Sequence, residues 1–316
     1  MNRGEPFDTT SGLPVSMLKT ATAETSWYEF ALSYVDHKWA RASAVYRRDI
    51  ARVMVTVTAA MLRMQPSGFT AVWLRKALRD WAFNKEHCDN APPEIAGILA
   101  WVKRNSLAIG ALEDSESFGK VLAALAVNLD GKTAAGSTIR RNRNILHNAL
   151  GYAEQRHLLA ENPLTLADDE RVRAVRAIDK RRLVNPSQAR ALLAAVGDRK
   201  PSGPRVYAFL AVMYYAALRP EEVVSLYVRD LTLPATGWGE IAVSEPRPEV
   251  GKRWTDSGEV RDKRSQPKGR QKGEVRYVPC HPELVAILLD YIAAHCLEDG
   301  DRLFTGVRRG DDLAAT

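Results

Sequence analysis

The residues with the clearest chemistry lie in one run, Tyr214-Tyr215-Ala216-Ala217-Leu218-Arg219-Pro220-Glu221-Glu222-Val223-Val224-Ser225-Leu226. The run reads as a hydrophobic helix over 205–218, a sharp corner carrying Arg219, and a second helix over 220–228 that Pro220 starts. Arginine stays protonated and presents a planar fork of donors. Held at a corner, it suits two oxygens of an anion. The plain alternative is an arginine that caps the last carbonyls of the helix before it. Glu222, three residues on, orients Arg219 or its helix, or is an ordinary first-turn carboxylate favoured by the helix dipole.

Two further basic groups accompany that corner. The segment 247–272 carries Lys263, Arg264, Lys268, Arg270 and Lys272. In the first half, Arg41, Arg48 and Arg52 fall on one side of an expected helix over 43–64, opposite an apolar stripe of Tyr46, Ile50, Val53, Val57 and Met61. Arg140, Asn144 and His147 share a face of a second expected helix, over 137–157, with Arg141 and Arg143 to either side. These cations suit phosphate oxygens, which set affinity and register; a charged stripe that merely faces water is the alternative for each.

The elements that must position these groups fall into two halves. Residues 1–23 read as a polar tail. From 24 to 165 the pattern is helical throughout, with expected helices over 25–39, 43–64, 71–83, 93–104, 116–128 and 137–157, the last capped by Ser137 or Thr138. Residues 166–184 are densely charged and read as a linker. The second half, 185–316, opens on Asn185-Pro186-Ser187-Gln188, an N-cap, a proline at the first helical position and a capping-box glutamine. Ala189, Leu192, Leu193 and Val196 are the expected buried face of that helix. Residues 239–243 and 273–279 alternate as strands do, and His281-Pro282 opens another amphipathic helix. The expected fold is mainly α with a small antiparallel β-hairpin or sheet.

Composition narrows the partners. The 316 residues carry a net charge of +7 with 26% charged and 46% hydrophobic residues. A basic excess favours polyanions, nucleic acid first. The longest uncharged run, 207–218, is too short to span a membrane. Three scattered cysteines, Cys88, Cys280 and Cys296, fit a reducing cytoplasm and match no zinc spacing. No metal and no cofactor is expected.

Arg219, Glu222, Leu226 and Asp230, then Lys268, then Arg276-Tyr277-Val278-Pro279, a helix, and Leu303-Phe304 follow one another in an order and spacing that resembles the catalytic domain of the tyrosine recombinases, the phage-type integrases. The helical first half is similar to that family's core-binding domain. The family's usual Thr-Gly before Leu-Arg is Ala216-Ala217 here. The resemblance implies DNA strand cleavage and rejoining without metal, with double-stranded DNA and other recombinase protomers as partners. It makes Arg219 the first catalytic arginine, Glu222 its support, and Lys268 the lysine that protonates the departing 5′ oxygen. Lys263, Arg264, Arg270 and Lys272 compete with Lys268 for that place, and Arg270 is a further DNA contact. It also makes Arg41, Arg48, Arg52, Arg140, Arg141, Arg143 and His147 the DNA face of the first domain. Tyr214, Tyr215, Tyr227, Tyr277 and Tyr291 follow helix or strand patterns and are expected to pack in the core, while Asp230 is expected to be structural.

The family's later segment brings His-x-x-Arg and the nucleophilic tyrosine. None of the six histidines opens His-x-x-Arg. The expectation is therefore a C-terminally truncated catalytic domain that binds DNA without cutting it, with apolar surface left uncovered around 207–218. A non-catalytic DNA-binding protein and a decayed integrase remnant are the alternatives.

Overall fold

The computed structural model describes residues 25–166, 183–244, 246–262 and 274–306, with Phe7, Thr9 and Gly12. The tail over 1–23 lies almost wholly outside the described residues, as does 167–182 of the charged segment. The described residues fall into two compact units, 1–176 and 177–316. The architecture is mainly α with one three-stranded antiparallel sheet, as the residue patterns predict.

The first unit is helical. Helix α1 (Trp27–Trp39) starts on a capping box in which Ser26 Oγ accepts from Glu29 N at 3.2 Å, and it buries Trp27, Phe30 and Tyr34. Helix α2 (Ala44–Ala60) is capped by Ser43 and turns Ile50, Val53 and Val57 inward, with Met61 just beyond its end. Helix α3 (Ala71–Ala77) runs into a π turn over Leu78–Ala82, where Phe83 N donates to Leu78 O at 2.8 Å. The single helix expected over 71–83 is therefore interrupted, which lets both Leu78 and Phe83 reach the core. Helices α4 (Pro93–Asn105), α5 (Ser115–Leu125), α6 (Gly136–Gln155) and the short α7 (Pro163–Leu166) complete the unit. The cap of α6 departs from expectation. Ala135 is its N-cap and gives no side-chain bond, so Ser137 and Thr138 sit inside the first turn.

The second unit begins with α8 (Pro186–Gly197), whose Asn185 side chain accepts from Gln188 N at 2.9 Å while Asn185 N donates to Gln188 Oε1 at 3.0 Å. Ala189 and Leu193 are buried where α8 packs on α9, but Leu192 is 58% exposed, contrary to the expected buried face. Helix α9 (Gly203–Ala216) leads to α10 (Pro220–Val223), strands β1 (Leu231–Thr232), β2 (Gly239–Val243) and β3 (Arg276–Cys280), and helix α11 (Pro282–His295). The sheet order is β1-β2-β3, with Ile241 opposite Val278 and Val243 opposite Arg276. Gly239 is required where β2 starts: a Cβ there would meet Thr232 O at 2.5 Å. The core joins Leu193, Val212, Leu226, Ile241, Leu288 and Phe304. Fully burying one such leucine or isoleucine contributes about 1.5–3 kcal/mol.

The segment after β2 is not a simple solvated loop. Val250 N donates to Val260 O at 3.0 Å, and Trp254 and Thr255 are buried. Arg247 N donates to Glu221 O at 2.9 Å, which ties this folded excursion to the first turn of α10.

Candidate functional site

The Arg219 corner is built by the chain leaving α9. Ala217 ends that helix in the left-handed region, at φ 51° and ψ 33°. This turn reverses the backbone, buries Leu218 and delivers Arg219 to the N-cap position of α10, at φ −73° and ψ 152°. The position where the resembled family carries glycine is thus one where glycine has a physical advantage, since a left-handed turn penalises a Cβ.

Glu222 clamps the corner from below. Its Oε2 accepts from Arg219 N at 2.8 Å, and its Oε1 lies 3.4 Å from Arg219 Nη1. Its side chain is 7% exposed, whereas that of Arg219 is 62% exposed. A buried carboxylate therefore fixes the root of an arginine whose guanidinium stays open to solvent. Glu222 contacts both the backbone and the side chain of Arg219 and also sits in the first helical turn. The expected helix to 228 ends at Val223. Ser225 Oγ donates to Glu222 O at 2.6 Å, and that local side-chain bond takes a carbonyl the helix would have used. Asp230 accepts from Tyr227 N at 2.8 Å and closes the next turn, a structural role.

Arg276, marked in the sequence only as part of the strand pattern and given no role there, also meets the Glu222 carboxylate. Arg276 Nη2 lies 3.1 Å from Glu222 Oε2. Strand alternation gave the signal that could have found it: Arg276 shares a strand face with Val278 and Cys280, and a charge on that face needs a partner.

The remaining expected site residues fall differently. Lys268 and Arg270 lie outside the described residues, as do Lys263, Arg264 and Lys272. In the first unit, Arg48 and Arg52 are exposed on α2, and Arg140 and His147 are exposed on α6. Arg41 is exposed just before α2, and Arg143 is half-buried. Two of these side chains join the helices to each other. Arg52 Nη2 donates to Asn142 Oδ1 at 2.9 Å, and Arg141 pairs with the buried Asp49. Arg52 and Arg141 thus link α2 to α6.

Of the tyrosines expected in the core of the second unit, Tyr291 is buried, but Tyr277 is 64% and Tyr214 38% exposed. Tyr277 stands on the outward face of β3, and Tyr214 on the side of α9 away from the core. Tyr207, Phe209, Leu210 and Met213 of α9 are half-buried. Tyr215 donates to Glu283 Oε2 at 2.5 Å. Burial first, and then the Glu283 carboxylate, push its phenol up to about 12. The same hydrogen bond holds Glu283 below the usual carboxylate range. His281 caps α11 by accepting from Glu283 N at Nδ1. Among the described residues, no group of three or more His, Cys, Asp or Glu is arranged to hold a metal ion. None of their helices is long and apolar enough to cross a membrane.

No family model and no curated protein matches the chain. Solved structures similar to it include the Tn1549 transposon integrase in complex with a circular intermediate DNA, at 17% identity and a TM-score of 0.45, over 65% of this chain and 60% of that one. The chain thus spans less than two thirds of that integrase chain. The same integrase in complex with transposon right end DNA is similar at 16% identity and a TM-score of 0.46, over 76% of this chain and 64% of that one. The XerH site-specific recombinase bound to its difH substrate is similar at 13% identity and a TM-score of 0.41, over 86% of this chain and 73% of that one.

Proposed function

We propose that this chain is a cytoplasmic DNA-binding protein of the tyrosine recombinase, or phage-type integrase, class. In this reading its second unit resembles the catalytic domain of that class and presents Arg219 to a phosphate of double-stranded DNA, and its first unit is the helical core-binding domain. The observation that carries the reading is the Arg219 corner: an open guanidinium whose backbone is fixed by a buried carboxylate. Such preorganised charge stabilises the negative oxygens of phosphoryl transfer without reorganising at the moment of reaction. Glu222 is the support of that arginine. Lys268 is the proposed proton donor by its place in the family pattern, with Arg270 a neighbouring phosphate contact. Arg41, Arg48, Arg52, Arg140, Arg141, Arg143 and His147 form the phosphate face of the first unit, and Arg52 and Arg141 also join its helices α2 and α6. The three free cysteines support a reducing compartment.

The 316 residues contain no His-x-x-Arg. For this polypeptide the reading is duplex binding without strand cleavage. A shift assay at graded salt, run beside a nicked suicide duplex, tests both parts. The expected result is binding that weakens as salt rises, from release of counterions at neutralised phosphates, and no covalent protein–DNA adduct. Salt-independent or absent binding refutes the first part; an adduct that survives denaturation refutes the second.

A further inference from the structure

We propose that Arg276 is a second cation of the Arg219 site, and that the two arginines hold the same DNA phosphate. This rests on the reading of Arg219 as a phosphate-facing residue and extends it to a strand that reading does not include.

The geometry begins with β3. Its alternation turns Arg276, Val278 and Cys280 to one face and Tyr277 and Pro279 to the other. Val278 and Cys280 pair across the ladder with Ile241 and Gly239, and Ile241 and Cys280 are buried, so this is the core side of the sheet. Arg276 sits at the end of that face, opposite Val243, and meets Glu222 rather than water. Its Nη2 is buried and 3.1 Å from Glu222 Oε2, yet it makes no aligned hydrogen bond. An ion pair with a donor left over is a poor final state for a buried nitrogen. The Arg276 side chain as a whole keeps 30% of its surface open.

Charge counting gives the ligand class. One carboxylate lies within 3.4 Å of two guanidinium groups, Arg219 and Arg276. The three groups leave one net positive charge, which a single phosphodiester oxyanion neutralises. The two guanidinium groups reach that carboxylate from two elements, the N-cap of α10 and β3. This suits a tetrahedral oxyanion better than a planar one, because its oxygens do not share a plane. Removing either arginine takes the local charge to zero, so each single loss abolishes the neutralisation that the pair provides.

The test is the salt dependence of duplex DNA binding by the full chain, for wild type, Arg219→Gln, Arg276→Gln and the double variant. Each neutralised phosphate contributes about 0.9 to the slope of log affinity against log salt. Each single variant is expected to bind about 10-fold more weakly near 0.1 M salt and to lose about 0.9 of slope. The double variant should lose no more slope than either single one. If Arg219→Gln binds as wild type does, the phosphate-facing reading of the corner is wrong. If Arg219→Gln loses slope and Arg276→Gln does not, that reading stands and the role of Arg276 falls. A double loss of about 1.8 means two separate phosphates and also overturns the shared site. Should Arg276→Gln fail to fold, Arg276→Lys keeps the ion pair and the charge. It is expected to retain the wild-type slope with a few-fold weaker affinity, and loss of slope in that variant overturns the proposal.

Discussion

Replacing Ala217 with glycine should stabilise the second unit. Ala217 is a non-glycine residue at φ 51°, ψ 33°. Holding an L-residue with a Cβ in that region costs roughly 1–2 kcal/mol. Glycine removes the penalty but gains freedom in the unfolded chain, which offsets about 0.4–1 kcal/mol. The net expectation for Ala217→Gly is a gain of about 0.5–1 kcal/mol. With a urea slope of about 1–3 kcal/mol per molar, the midpoint for the second unit should rise by about 0.2–1 M. Ala217→Val is the converse, because a β-branched residue is a true outlier there, and it should lower the midpoint by more than glycine raises it. Equilibrium urea unfolding followed by far-UV circular dichroism reads both. DNA affinity should be unchanged in Ala217→Gly, since the turn already places Arg219. A midpoint that falls in the glycine variant, or that ignores both substitutions, refutes the left-handed turn and with it the way the corner is built.

Glu222→Gln should destabilise the second unit by about 2–4 kcal/mol, because it leaves Arg276 partly buried beside a neutral amide; the lower end reflects the exposure of Arg219. A loss below about 0.5 kcal/mol, the scale of surface pairs, would show that Glu222 clamps nothing. At high pH, the phenols of Tyr28 and Tyr215 should both resist ionisation, since burial pushes each to about 12. Their folded pKa lies above the unfolded value, so their stabilisation is intact below about pH 10 and disappears as pH climbs toward about 12. Tyrosinate absorbance on titration should show part of the tyrosine population ionising late, together with unfolding. Simultaneous ionisation of all ten tyrosines near the ordinary value, with the fold intact, would contradict this.

Much of the scaffold was legible before any coordinates. Asn185 and Gln188 announce α8, because a capping box satisfies orphan amides by local contacts alone. The four- and three-residue spacing of Ile50, Val53, Val57 and Met61 likewise defines the buried side of α2. Local pattern failed where tertiary demands intervened. Leu192 and Leu193 look equally buried in sequence, but Leu193 joins the core of the second unit while Leu192 is exposed. Val224 and Leu226 are apolar enough to extend α10, but they leave the helix to enter the core, and Ser225 makes the exit affordable by bonding the Glu222 carbonyl. The site was half legible. Arg219 and Glu222 sit three residues apart and advertise each other. Strand alternation puts Arg276 on the core face of β3, but that its partner is Glu222 is a long-range contact that no local spacing encodes. Arg52 and Arg141 looked like members of a free cationic face, whereas Asn142 and Asp49 on the facing helices take part of their bonding capacity.

The central claim, that Arg219 faces a DNA phosphate, is tested most directly by comparing wild type and Arg219→Gln in duplex binding over a range of salt. The account predicts that the substitution makes log affinity fall less steeply with log salt, by about 0.9, while the unfolding midpoint moves little. Superimposable salt curves for two folded proteins would contradict it.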